Sequence, residues 1–252
     1  PLRIFLTGGV AIETEGAAFQ QDAFPGRQGL LMFTHLMWRR GTAVSRDALA
    51  ELLWQQRQPR ARDTALNAIA SKLRVLLARA GLQKSSVLPA ALGCYQLNIP
   101  VDTWVDVDAA RDSLHAAEGF QKTGQYGDAW SAAHVACHIF RRPFMVGESG
   151  PWVEQARAQL TGFHVRACEC LADSCIRNNE PHTAVEVASE AISTHPYRET
   201  SYQLLMRAHA AAGNRAEALR TYEQCRRLLA EELGVAPSAE TQAVHLTVLQ
   251  AR

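Results

Sequence analysis

The sequence predicts a mainly α fold in two parts, a helix-rich module with small β-sheets over residues 1–100 and an all-α helical array over residues 101–252. Three observations predict it. Alternating apolar stretches with glycine turns stand at both ends of the first part and bracket three patterns of helical period. After Val101 the texture changes to alanine-rich helices. Within that second part, matching side chains recur every 34 residues.

In chain order, LRIFLTGGVAIETEG alternates and is punctuated by Gly8, Gly9 and Gly16, which predicts a short antiparallel hairpin. GRQGLLMFTHLMWRRG, bounded by Gly26 and Gly41, places Leu30, Phe33, Leu36 and Met37 on one helical face. Ser45 is a good N-cap for SRDALAELLW, with Asp47 in the first turn and Leu49, Leu52 and Leu53 turned inward. Trp54 at its end is expected in the core. The polar QQRQPRAR contains Pro59 and reads as a loop. DTALNAIASKLRVLLARAG, residues 63–81, is a third amphipathic helix, and SSVLPAALGCYQLNI turns at Gly93 as a last hairpin. Hairpin, three helices, hairpin is the order of a winged helix-turn-helix with small β-sheets.

The second part pairs Ala184 with Ala218, Leu171 with Leu205, Ala188 with Tyr222, and the turn Asn179-Glu180 with Gly213-Asn214, all 34 apart. That is the tetratricopeptide period, and its small alanines let paired helices approach closely. GQYGDAWSAAHVAC is a related unit, but Ala129 precedes Ala184 by 55 residues, so about 21 residues are inserted. Pro143, Gly147, Gly150 and Pro151 make that insertion a structured loop, with Trp152 expected to anchor it against the repeats.

Apolar and charged fractions of 47% and 20% are those of a globular protein. No apolar run reaches the roughly 18 to 20 residues that span a bilayer, and the N-terminus lacks a signal-peptide pattern, so no membrane partner and a cytoplasmic location are expected. The chain begins at Pro1 rather than Met, as expected of one trimmed or excised from something longer. The net charge of +1 divides unevenly: 12 Lys and Arg face 6 Asp and Glu in residues 1–100, against 14 and 19 in the remainder. A basic module beside an acidic one predicts that the first part meets a polyanion.

The third helix has the face for it. On a 100° wheel Leu66, Ile69, Ala70, Leu73 and Leu77 form the apolar stripe, with Leu76 at its edge. Opposite lies a narrow, nearly neutral strip of Thr64, Ala68, Ser71 and Val75, able to approach a groove floor without stranding charge. Hydroxyls suit base edges, Val75 suits a thymine methyl, and Asn67 offers the paired donor and acceptor that adenine takes. Lys72, Arg74 and Arg79 fall where phosphate walls would stand, Arg46 on the preceding helix is expected to hold a phosphate, and Arg60 and Arg62 precede a helix N-terminus that itself favours anions.

These residues carry a family resemblance. FPGRQGLLMFTHLMWRRGTAVSRDALAELLW followed by ALNAIASKLRVLL resembles the OmpR-type winged helix of the Streptomyces antibiotic regulatory protein (SARP) family. GPWVEQARAQL, then HPYRETSYQLLMRAHAAAGNRAEALRTYEQCRRLLAEELGVAPSAET, resembles the bacterial transcriptional activator domain (BTAD) that accompanies it. The resemblance implies a transcriptional activator that binds direct repeats in promoter DNA, often as a side-by-side homodimer, and recruits RNA polymerase. It also implies that Ser71, Lys72 and Arg74 belong to the recognition pattern, and that the loop Gln55, Gln56, Arg57 and Gln58 faces polymerase. Val75 stands where a second Arg is common, and LPAALGCYQL lacks a wing's usual basic residue, leaving Gly93 and Tyr95 as architectural.

No catalytic pattern or phosphate loop is present; GESG at 147–150 lacks the lysine such a loop requires. No cofactor is expected. HVACH sets His134 and His138 one turn apart around Cys137, but without a third strong ligand nearby the pattern is assigned to packing or surface display and no metal site is expected. The six cysteines show no CxxC spacing and read as reduced thiols, with Cys168 and Cys175 on one helix face as a minor redox idea. The sequence therefore predicts a nucleoid-associated DNA-binding regulator, with a tetratricopeptide-type scaffold or ligand sensor of weakened DNA binding as the alternative.

Overall fold

The structure, a computed structural model, describes residues 2–55 and 57–250. It divides into two compact units, one running to Asp108 and including Arg142–Arg157, the other formed by Ala109–Arg141 and Ala158–Arg252. This partition differs from a division after residue 100 because the inserted segment belongs with the first unit.

In the first unit, β1 (Arg3–Phe5), β2 (Ala11–Thr14) and β3 (Ala17–Phe19) form an antiparallel meander. The opening is thus three strands rather than a hairpin, since Gly16 sits in a second tight turn that pairs Thr14 with Ala17. A fourth strand, β7 (Trp104–Val105), lies parallel to β1. Asp106, fully buried beside it, accepts from the backbone N–H groups of Leu6 (2.9 Å), Thr7 (3.0 Å) and Val107 (2.8 Å) and from the Thr7 hydroxyl (2.7 Å). Four donors around one carboxylate satisfy a buried charge and lock the two chain segments together.

Helices α1 (Gly26–Trp38), α2 (Arg46–Trp54) and α3 (Arg62–Arg79) follow. Ser45 caps α2, its hydroxyl accepting from the Ala48 N–H at 3.1 Å. The predicted stripe of α3 is buried, Leu66, Ala70 and Leu77 completely, and Leu76 joins it at 3% exposure rather than lying at its edge. Leu49 and Leu53 of α2 and Phe33, Leu36 and Met37 of α1 complete this core, while Leu52 and Trp54 are half-buried. A second sheet orders β4 (Val44–Ser45), β6 (Cys94–Tyr95) and β5 (Ala90–Ala91). Leu92 and Gly93 join β5 to β6 with φ of 51° and 74°, the two positive values of a type I′ turn.

The insertion is folded by Arg157, whose guanidinium donates to the carbonyls of Phe144 (3.0 Å), Met145 (2.5 Å) and Glu148 (3.0 Å). Gly8 donates to Pro143 at 2.8 Å, and Arg27 binds Glu148 at 2.8 Å. Trp152 packs edge-on to His35 at 4.7 Å and contacts Trp38 and Phe144. Its expected place against the repeats is therefore corrected: an aromatic cluster on α1 holds it within the first unit.

The second unit comprises α4 (Asp106–Lys122, counted from Ala109), α5 (Tyr126–Phe140), α6 (Pro151–Arg177, counted from Ala158), α7 (Pro181–Thr194), α8 (Glu199–Ala211), α9 (Arg215–Leu228) and α10 (Ala239–Gln250). Helices α4, α6 and α8 end alike: Gly124, Asn179 and Gly213 take left-handed φ of 75°, 60° and 76°. The following N–H groups of Gln125, Glu180 and Asn214 reach back five residues to Phe120, Cys175 and His209. Ala129, Ala184 and Ala218, one per repeat, are completely buried where the paired helices meet. The 34-residue period and the 55-residue gap thus correspond to three helical pairs, and α10 closes the last by packing Val244 and Val248 on Met206 and Ala218.

Candidate nucleic-acid interface

The strip of α3 opposite its buried stripe is open. Thr64, Ala68, Ser71 and Lys72 are exposed, and Val75 is 46% exposed. Among the described residues no side chain caps the N-terminus at Ala61, so the first turn of α3 keeps N–H groups available to an anion. Arg57, Arg60 and Lys72 are exposed and, among the described residues, meet no carboxylate. Arg62 pairs with Asp47 at 2.7 Å and donates to Gln58 at 3.4 Å.

Three expected contacts are engaged elsewhere. Asn67 Oδ1 accepts from the Tyr95 hydroxyl at 2.7 Å and from Arg46 Nη2 at 3.1 Å. In this arrangement the Asn67 acceptor is occupied and its amide N–H groups are free. Arg46 lies over the Tyr95 ring at 5.1 Å and within 3.8 Å of Asp63, tying α2, α3 and β6 together. Arg74 is half-buried, and its Nε donates to the Leu88 carbonyl at 2.9 Å, holding the wing's approach to α3. The α3 wheel places Asn67 and Arg74 on an outer flank, but the second sheet and the segment leading into it cover that flank and engage them. The architectural role expected of Tyr95 and Gly93 agrees with this arrangement, and Arg79, exposed on α3, stacks over Phe19 at 5.3 Å.

The wing tip carries no charge. Leu92, fully exposed, occupies a left-handed conformation that a non-glycine residue adopts at a cost. In the loop after α2, Gln55 has φ of 49° and its amide reaches the Ser149 carbonyl at 3.4 Å, Arg57 and Gln58 are exposed, and Gln56 lies outside the described residues.

In the second unit the HVACH pattern separates by face. His134 stacks on Trp130 at 5.2 Å and His138 is exposed, whereas Cys137 points into the core. Cys168 and Cys175 are both buried, but the sulfur beside Cys168 is that of Cys137, at 3.8 Å. No described helix is long and apolar enough to cross a membrane.

Comparison with known proteins places this architecture. Residues 105–249 match the family described as the bacterial transcriptional activator domain. The regulatory protein AfsR of Streptomyces coelicolor is 28% identical over 250 residues, 99% of this chain and 24% of AfsR. The transcriptional regulatory protein EmbR of Mycobacterium tuberculosis is 26% identical over 218 residues, 85% of this chain and 55% of EmbR. This chain thus spans about a quarter of AfsR and about half of EmbR. The solved structure of EmbR in complex with a low-affinity phosphopeptide superposes with a TM-score of 0.89 at 24% identity, over 99% of this chain and 65% of that one, a likeness of fold. The chain belongs to the bacterial transcriptional activator domain family, in the SARP-type arrangement that sets this helical domain behind a winged helix.

Proposed function

We propose that the chain binds double-stranded promoter DNA through α3 and activates transcription. The observation that carries this is the exposed, nearly neutral strip of Thr64, Ala68, Ser71 and Val75, flanked by Lys72 and begun by an uncapped helix N-terminus beside Arg60 and Arg62. Thr64, Ser71 and Val75 face base edges; Lys72, Arg60 and the N-terminal amides hold phosphates. The exposed Arg62 pair with Asp47 contributes at most about 1 kcal/mol, so a phosphate can take over that guanidinium. Arg46, Asn67 and Arg74 form the frame that sets the angle between α3 and the wing.

The resemblance to SARP regulators supports the finer reading: two chains side by side on direct repeats, with the loop around Gln55, Arg57 and Gln58 toward RNA polymerase, in the cytoplasm at the nucleoid. Selection of bound duplexes from a random pool tests it. Recovery of two copies of one motif in the same orientation at fixed spacing is expected; recovery of no motif, with binding that ignores sequence, overturns it.

A further inference from the structure

The strongest unassigned chemistry lies in the second unit. Cys137 on α5 and His164 and Cys168 on α6 bring their ligand atoms within 4.8 Å of one another, and all three residues are buried. His164 and Cys168 are four apart on one helix, so both project from the same face toward Cys137. The spacings are those of a metal's ligands. Two thiolates at about 2.3 Å from a tetrahedral zinc stand about 3.8 Å apart, and a thiolate and an imidazole nitrogen about 3.6 Å. Here Cys137 Sγ and Cys168 Sγ are 3.8 Å apart, and Cys168 Sγ is 3.6 Å from His164 Nε2.

From the geometry we infer that Cys137, His164 and Cys168 bind a divalent cation of the zinc class. Glu190 on α7, its Oε1 3.0 Å from His164 Nε2 but outside the group of three, reaches the fourth position by a shift of its side chain. Arg141 holds that carboxylate with Nε at 2.8 Å. The charges close: two thiolates neutralise the dication, the imidazole is neutral, and Arg141 balances Glu190, so no net charge is left in the core. Each thiol gives its proton to solvent as its sulfur–metal bond forms. Arg141 and Glu190 side chains are 59% and 29% exposed, marking the side by which an ion enters. Two thiolates and an imidazole select zinc-like ions over calcium or magnesium, which require oxygen.

The test titrates the reduced, chelator-stripped chain with cobalt(II) under nitrogen. One cobalt per chain, with a thiolate-to-cobalt charge-transfer band and the visible bands of a tetrahedral centre, both discharged by one zinc, is the expected result. Cys94→Ser, half-buried in the first unit, keeps the bands; Cys137→Ser and Cys168→Ser lose them. In case either serine variant fails to fold, His164→Gln is compared with wild type for stabilisation by zinc: wild type melts higher with zinc and His164→Gln does not, and equal stabilisation of the two also overturns the inference. No charge-transfer band in the wild-type chain, or an unchanged band in folded Cys137→Ser, overturns the inference.

Discussion

Lys72 and Arg74 are two residues apart on α3, and the structure predicts that replacing them will have opposite consequences. Lys72 is exposed and, among the described residues, meets no carboxylate, so Lys72→Ala leaves folding stability within about 0.5 kcal/mol. On DNA it removes one phosphate contact, which lowers the steepness of log K against log salt by about 0.9. The affinity advantage of wild type over this variant therefore shrinks about 3.5-fold between 50 and 200 mM salt. Arg74 is half-buried with Nε 2.9 Å from the carbonyl of the buried Leu88. Arg74→Ala removes a charged hydrogen bond and strands that carbonyl, at about 1.5–3 kcal/mol of unfolding free energy, with a smaller change in salt slope than Lys72→Ala. Arg74→Lys keeps the charge but not the Nε geometry and shares most of the loss. Urea unfolding and fluorescence anisotropy on a selected duplex across a salt series measure both quantities. A slope lowered by about 0.9 in Arg74→Ala at unchanged unfolding midpoint, with Lys72→Ala unaltered, refutes the assignment of framework and contact.

Other perturbations probe the frame. Asp106→Ala leaves the Leu6 and Thr7 N–H groups buried without their acceptor and is expected to cost about 3–5 kcal/mol in chemical denaturation; a loss below about 1 kcal/mol contradicts its place as the tie between β1 and β7. Leu92→Asn relieves a left-handed φ of 51° and should raise stability by about 1 kcal/mol, read from the thermal midpoint, with no gain if the turn is unstrained. His35 is held to about 4 from the ordinary 6.5, first by burial and then by Arg39. Because the folded value is depressed, the neutral ring's contribution is complete above about pH 6.5 and is lost as pH falls through about 4, removing about 2 kcal/mol between pH 7 and pH 5. His35→Gln should flatten that part of the stability profile; an identical loss in the variant shows that other groups carry it.

What the sequence discloses is set by how local each cause is. The α3 stripe, the Ser45 cap and the equivalent turns at Asn179 and Gly213 follow from neighbours within one or two helical turns, and the structure has all of them. Asp106 gives no such signal, because three of its four donors come from Leu6 and Thr7, about 100 residues upstream, just past a strand whose parallel pairing no short-range pattern specifies. Trp152 reads from the sequence as an anchor of the insertion but against the wrong partner, since His35 and Trp38 on α1 lie far upstream of it in the chain. The same limit explains the metal-type cluster. HVACH drew attention to His134 and His138, yet the buried member is Cys137, and its companions lie beyond the insertion; the one local signal was His164 and Cys168 spaced four apart.

The surface of α3 proposed to face DNA illustrates the limit most directly. A wheel separates inside from outside, and every predicted contact is indeed outside the α3 core. It does not say which outer flank a wing will cover. Tyr95 and Leu88 engage Asn67 and Arg74, and Arg46 is held over the Tyr95 ring, so the contact set we propose is Thr64, Ser71 and Val75 for bases and Lys72, Arg60 and Arg62 for phosphates. Half of that set is uncharged, which places a large share of the affinity in shape, hydroxyl hydrogen bonds and helix-terminal amides rather than in counterion release. A shallow salt dependence together with sequence preference is the behaviour this surface requires, and a steep salt dependence without preference would assign binding to charges elsewhere on the unit.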